Sequence, residues 1–402
     1  MIAIKTFQIM NTHVMNTYQR LPVTFSHGEG VWLFDTDGKR YLDALCGISV
    51  TNLGHTHPAV SAAIKKQADL LLHTSNLYHI TPQQQLAHKL CSIAAMDKVF
   101  FSNSGAEANE AAIKLARLHA SHKANNHPII ITMTGSFHGR TLATITATAS
   151  QKMKTGFGPL PAGFIYGEYN NINSAKQLFA EHGDNIAAVF VEPVQGEGGI
   201  NVGDADYLLQ VQQLCHDHQA LFMLDEVQSG NGRCGHYFAF QGLGLSPDVI
   251  TTAKGLGNGV PIGACIAKGA AAETLSPGTH GSTFGGNPLA TAAALAVIKT
   301  IEDEQLCDRA AELGSAIKTG FEKALADNPA VIDIRGSGLM IGIELDRPCG
   351  QLVADALAAG LLINVTAGST IRLLPPLIMS DENAQQIVDT VTTLIHQFIA
   401  DA

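Results

Sequence analysis

Five short apolar runs, at 129–133, 186–191, 220–224, 248–252 and 262–267, alternate with stretches of helical spacing such as 106–124 and 205–219. Runs of this length without polar alternation read as strands buried on both faces. Buried strands separated by helices build a mostly parallel α/β sheet. Val99-Phe100-Phe101 offers a further strand just ahead of the first of those helices. An open sheet of this kind holds its ligand beyond the carboxyl ends of its strands, so the residues that close each run are the first candidates for chemistry.

The flanks read differently. Gly30–Asp43 alternates apolar and polar residues around Asp37-Gly38, a hairpin signal. Pro58 opens a helix through Leu72, and Thr81-Pro82 opens another through Ile93. Beyond Pro288 an Ala-rich helix leads into a helical stretch from Glu304 to Asp327. Then follow Val331–Leu345, a helix near 351–359, strand-like runs at 361–366 and 370–374, and a last helix from about Glu382. The expected architecture is α/β: a large domain over 58–300 with the mostly parallel sheet flanked by helices. A smaller α+β domain over 301–402 is joined by the N-terminal segment 1–57. At 402 residues the chain has length for two or three such units.

Charge and cysteine usage narrow the chemistry. Lys and Arg total 25 against 35 Asp and Glu, a net charge of −10, and no basic run breaks the pattern. Such a surface repels nucleic acid and anionic membranes. Seven cysteines, an odd number spread from Cys46 to Cys349 without a Cys-x-x-Cys, read as reduced thiols. Met1–Asn16 carries one lysine and no long apolar stretch, unlike a secretory signal. The longest apolar stretch, Leu289–Ile298, is too short and too rich in Ala and Thr to span a bilayer. The expectation is a globular cytoplasmic protein. The pairs His55-x-His57, His119-x-x-His122 and His216-x-His218 lack a third ligand at metalloenzyme spacing, so no metal is expected.

Two strand ends stand out. Ala220–Leu224 ends in Asp225-Glu226, and a buried Asp there demands a cationic or hydrogen-bonding partner. Asp248–Thr252 ends in Ala253-Lys254-Gly255-Leu256-Gly257. Small flanking residues leave this lysine open yet partly desolvated, which favours the free amine that an imine-forming nucleophile needs. Taken singly, an acid opening a loop and a lysine in a Gly-rich turn explain these residues equally well. As a pair they are what pyridoxal phosphate requires, an amine for the aldehyde and a carboxylate for the ring nitrogen.

The phosphate needs a cradle. Ser102-Asn103-Ser104-Gly105-Ala106-Glu107-Ala108 follows a strand and opens a helix, where small residues let backbone N–H groups close on an anion. An ordinary helix cap reads the same. The Gly-x-Gly-x-x-Gly of a dinucleotide site is absent here, which counts against a nicotinamide-dependent dehydrogenase. Gly135–Thr141 brings Phe137 and Arg140 to a strand end, suited to stacking on a ring and to clamping a carboxylate, or else to core packing and a surface ion pair. Glu192–Gly199 holds two acids in a Gly-rich loop, and Gly281–Asn287 adds hydroxyls suited to a phosphate.

This set of residues resembles the class III, fold-type-I pyridoxal-phosphate aminotransferases, and within them the acetylornithine aminotransferase group. The likeness runs from about Tyr18 to Leu377. It is carried by Phe100–Arg117, Phe137–Thr141, Val191–Gly199, Leu224–Gly235, Asp248–Gly263 and Gly278–Ala290, all in the family's order.

The resemblance implies roles. Lys254 matches the lysine that carries the cofactor and moves the proton, and Asp225 the carboxylate that keeps the pyridine nitrogen protonated. Phe137 and Val227 would sandwich the ring, Gln228 would bond its phenolic oxygen, and Glu226 counts among the cofactor-binding residues. Ser104, Gly105 and Ala106 match the phosphate cup, with Ala106 where relatives often carry Thr. Thr283 resembles the residue that reaches the phosphate from the neighbouring subunit, with Ser282 near the substrate. That implies a homodimer with its active site at the subunit interface. Arg140 would hold the carboxylate far from the reacting amine, and Arg372 the α-carboxylate of glutamate or 2-oxoglutarate. Glu197 would pair with Arg372 when the donor has no carboxylate there.

The implied reaction moves the ω-amino group of N-acetylornithine to 2-oxoglutarate, giving N-acetylglutamate semialdehyde and glutamate in arginine biosynthesis. His138 stands where ornithine aminotransferases tend to have Trp, and Cys46–Val50 lacks the tyrosine those enzymes place there. Succinylornithine, N-succinyl-diaminopimelate, ornithine and 4-aminobutyrate are the alternative donors. A catalytically inactive cofactor-binding paralogue has no physical need for Lys254, Asp225, Gln228 and both arginines together.

Overall fold

The computed structural model describes residues 13–401, so the first twelve residues of the N-terminal readings lie outside the described residues. Seven strands form the central sheet: β1 Lys98–Ser102, β2 Ile129–Met133, β3 Phe164–Gly167, β4 Ile186–Val191, β5 Leu221–Asp225, β6 Val249–Thr252 and β7 Gly263–Ala267. Their spatial order is β1-β7-β6-β5-β4-β2-β3. From β6 to β3 every neighbouring pair is parallel, whereas β7 runs antiparallel to β6 and β1. Within β5, Phe222 and Leu224 enter one apolar core while Leu221 and Met223 enter another. Both faces are therefore packed, which is why these strands read as unbroken apolar runs. β3 has no such signal, because it is a four-residue edge strand with Tyr166 exposed.

The helix Gly105–His122 starts directly after β1 and is capped by Ser104, whose side chain accepts from the Glu107 N–H. Ala108, Ala111, Ala112 and Ala116 are buried along it, small enough to let the helix lie close to the sheet. The helix opened by Pro58 closes at Ala68, four residues before the expected end. Leu70, Leu71 and Leu72 face solvent in this chain, so no buried face prolongs the helix.

Both chain ends build the remainder. Phe25–Glu29, Trp32–Asp35 and Arg40–Asp43 form a sheet whose fourth strand, Leu361–Leu362, pairs in parallel with Arg40–Asp43. A second four-stranded sheet is antiparallel and orders Val331–Ser337, Met340–Leu345, Thr370–Leu373 and Asn364–Thr366. Arg233 joins these parts. It is fully buried and donates to Ser49 Oγ, Asn52 Oδ1 and the carbonyls of Leu339 and Pro375. Among the described residues no helix is long and apolar enough to cross a membrane, and no cluster of metal-ligating side chains occurs. All seven cysteines are free.

Candidate active site

Asp225 closes β5 and is 5% exposed. Its Oδ2 lies 2.8 Å from His138 Nδ1 and accepts from Asn109 Nδ2 at 2.8 Å, while Oδ1 accepts from the Val227 N–H at 3.0 Å. No Lys or Arg of the described residues forms a salt bridge with it. Asn109 is aimed by Thr251, whose hydroxyl donates to Asn109 Oδ1 at 2.6 Å and which pairs with Asp225 across the β5–β6 register.

Lys254 follows β6 with φ +45°, the left-handed region that a side chain enters at a cost. Its ammonium group makes no hydrogen bond or salt bridge among the described residues. Burial pushes its pKa down and the field of Arg372 adds to this, while Glu197, Asp225 and Glu192 oppose it. The amine is therefore drawn toward its free, nucleophilic form. Glu192, just beyond β4, accepts from the Phe137 N–H at 2.9 Å and the Gly196 N–H at 3.4 Å. Burial and the neighbouring Asp225 hold its carboxyl well above the usual range.

Arg372 lies within Thr370–Leu373 and is fully buried. Its Nη1 contacts Glu197 Oε1 at 2.6 Å and Gln228 Oε1 at 3.2 Å, its Nε donates to Asn364 Oδ1 at 3.0 Å, and its Nη2 has no partner. Burial raises the Glu197 pKa, but the charge and hydrogen bond of Arg372, with Lys254 and Gln228, together outweigh it and hold the carboxyl below its ordinary value. Arg140 is exposed; its guanidinium lies 5.6 Å from the Phe137 ring centroid and pairs with no carboxylate of the described residues.

At the start of Gly105–His122, the N–H groups of Gly105 and Ala106 have no intrahelical acceptor. A Cβ on Gly105 would come within 2.6 Å of Val227 Cγ1, so only glycine lets the helix end approach that residue so closely. Ser282 and Thr283 line a cavity of about 410 Å³ together with Asn103, Glu107 and His280. Ser282 Oγ accepts from Asn103 Nδ2 at 3.3 Å, and Thr283 is exposed. Glu226 is turned elsewhere: its carboxylate accepts from Ser229 Oγ and the Phe240 N–H, out of the group around Asp225. Asn109 and His138 enter that group without having been assigned to it from sequence.

The donor set suits pyridoxal phosphate: a buried amine without a partner, a carboxylate without a cation, and a helix end with free N–H groups. Residues 14–395 match the family model described as Aminotransferase class-III. The chain belongs to the class III aminotransferases. A Bordetella pertussis relative named acetylornithine aminotransferase 1 is 54% identical over 391 residues, 97% of this chain and 99% of the relative. The crystal structure of acetylornithine aminotransferase from Elizabethkingia anophelis is 36% identical with TM-score 0.87, covering 96% of each chain. A Toxoplasma gondii ornithine aminotransferase structure, described as having partial occupancy of PLP at its active site, is 33% identical with TM-score 0.91. It covers 95% of this chain and 92% of that one. As a class III aminotransferase, this enzyme uses pyridoxal 5′-phosphate.

Proposed function

We propose that this enzyme transfers the ω-amino group of N-acetylornithine to 2-oxoglutarate, in the cytoplasm and as part of arginine biosynthesis. The observation that carries the reading is the fully enclosed Arg372 with its Glu197 partner. One pocket must take an ω-amine donor with no carboxylate beside the reacting end, and then 2-oxoglutarate, which has one. A buried guanidinium left bare in the first case would be costly. Glu197 supplies the counter-charge, and the unpartnered Nη2 offers a second donor to an arriving carboxylate. Identity of 54% to an acetylornithine aminotransferase supports the donor.

When bound, the cofactor supplies an aldehyde for the amine and an electron-withdrawing ring. Lys254 Nζ would take the proton from the donor carbon that bears the amine and deliver it to the cofactor carbon that carried the aldehyde, a task that a depressed amine pKa favours. Asp225 holds the ring nitrogen, Phe137 and Val227 enclose the ring, and Gln228 meets its phenolic oxygen. Ser104, Gly105 and Ala106 take the phosphate. Arg140, which pairs with no carboxylate of the described residues, holds the distal carboxylate of both substrates.

The active form is a homodimer in which Thr283 completes the partner's phosphate site. Leu77 is 85% and Phe284 62% exposed. They lie on one surface, because Asn76 donates to the carbonyls of Ser282 and Gly285 and the His73 ring stands 5.5 Å from that of Phe284. Two large apolar side chains exposed on one face support the reading of an interface there.

The test is the near-visible spectrum of the purified enzyme. N-acetylornithine alone should abolish the band of the bound cofactor, and 2-oxoglutarate should restore it. A band that responds only to ornithine, 4-aminobutyrate or a succinylated donor would keep the reaction and replace the donor.

A further inference from the structure

Four consecutive carbonyls of the loop that carries Glu197 each have a side-chain donor. That of Glu197 accepts from Thr366 Oγ1, and that of Gly198 from Asn201 Nδ2 at 2.9 Å. Arg335 takes the other two. Its Nε donates to the Gly199 carbonyl at 3.0 Å and the Ile200 carbonyl at 3.2 Å, and its Nη2 to that of Gly199 at 2.7 Å. The remaining nitrogen, Nη1, donates to Glu344 at 2.6 Å and Asp333 at 3.0 Å, which fixes the plane of the guanidinium.

The register of the sheet explains why this arginine stands there. Arg335 lies opposite Gly342, Gly342 opposite Arg372, and Arg372 opposite Asn364. Residues paired directly across antiparallel strands point to one face. The next row on that face is Asp333, Glu344, Thr370 and Thr366. Only Gly342 separates the two arginines, and Ile200 fills its gap: a Cβ on Gly342 would come within 2.9 Å of Ile200 Cβ. One sheet face therefore grips the loop backbone through Arg335 and Thr366, and the Glu197 side chain through Arg372.

The loop needs that grip. Glycines 196, 198 and 199 surround Glu197, and Gly199 sits at φ +111° with Ile200 at +56°. Such a segment has many backbone states open to it unless bonds select one.

We infer that Arg335 is a positioning residue for the exchange between Glu197 and substrate at Arg372. This rests on the reading of that pair given above. With the carbonyls of Gly199 and Ile200 fixed to the strand row that holds Arg372, only the Glu197 side chain has to swing when a carboxylate arrives. Loosening the grip acts oppositely on the two halves of the reaction. The donor half loses part of the counter-charge that covers Arg372, whereas 2-oxoglutarate meets a weaker competitor.

The experiment follows single turnovers of each half at increasing substrate, with 2-oxoglutarate and with the donor that discharges the wild-type enzyme, N-acetylornithine in our reading. Arg335→Gln should slow the donor half about 10-fold at low substrate and should not raise the half-saturating concentration of 2-oxoglutarate. Arg335→Lys, which keeps one charged donor, should recover most of the donor half. Because the effect runs through Glu197, adding Arg335→Gln to Glu197→Gln should change the donor half by less than about 2-fold. Equal losses in both halves, additive effects in the double variant, or no loss at all would overturn the positioning role alone. If Glu197→Gln itself leaves the two halves in step, the exchange reading falls and this inference with it. Should Arg335→Gln not fold, Thr366→Val removes the other anchor of the loop, and losses shared equally by both halves there would overturn the inference.

Discussion

Arg372 Nη1 lies 2.6 Å from Glu197 Oε1, and the guanidinium is fully enclosed while the acid is about a third exposed. The pair can therefore open from the Glu197 side without uncovering the arginine. Arg372→Ala removes the docking point of the α-carboxylate and should slow the 2-oxoglutarate half-reaction by about 100-fold or more, with a smaller loss in the donor half. Single-turnover rates for the two halves decide this. Equal losses would contradict the exchange of Glu197 for substrate.

Arg140 has no carboxylate partner among the described residues, so its charge is available to ligands. Arg140→Ala should raise KM in both halves by roughly 10- to 100-fold, because each substrate loses one charge-assisted bond. An effect confined to the glutamate side would mean that the two arginines have exchanged roles.

Lys254→Ala should cut turnover by more than about 1000-fold, since it removes both the cofactor's anchor and the proton carrier. Circular dichroism and the Tm of the cofactor-free enzyme should hold, because a buried amine without an ion-pair partner among the described residues does not stabilise the fold. Turnover like that of the wild type would remove Lys254 from the mechanism.

The two strand ends are legible because an unbroken apolar run that stops at a charge is rare unless the charge has work to do. The fold is legible for the same reason, each of β4 and β5 being buried along its whole length. Asn109 is not legible. A single amide on the Ala-rich face of Gly105–His122 looks like a tolerated polar residue, and only the sheet register shows that it points at Asp225. His138 is hidden differently, since a histidine between Phe137 and Gly139 carries no sign of what its ring nitrogens meet. β3 escapes because an edge strand needs no two-sided apolar pattern.

Glu226 offers a pH test of stability apart from catalysis. Burial lifts its carboxyl from 4.5 to about 7, against the hydrogen bonds from Ser229 and Phe240. The folded chain thus keeps this proton where the unfolded chain has lost it, and stability falls as pH rises from about 4.5 through 7. Glu226→Gln cannot lose a proton. Denaturant unfolding of both proteins at pH 5 and pH 8 should show the wild type losing roughly 3 kcal/mol relative to the variant. A difference that does not change with pH would refute the assignment.

Leu77→Asp places a charge at an 85% exposed apolar position beside the loop that carries Thr283. If that face is the dimer interface, sedimentation should show monomers, and cofactor affinity should fall as Thr283 leaves the partner's site. A variant that still sediments as a dimer would move the interface elsewhere.

Arg233 has a consequence for the chain as it is made. Its partners Ser49 and Asn52 leave the ribosome before it, but Leu339 and Pro375 emerge 106 and 142 residues after it. Until then the guanidinium cannot be enclosed without leaving donors bare. The nascent protein must keep this seam wet until the segment that carries Pro375 arrives, so the step that seals this junction trails the synthesis of Arg233 itself.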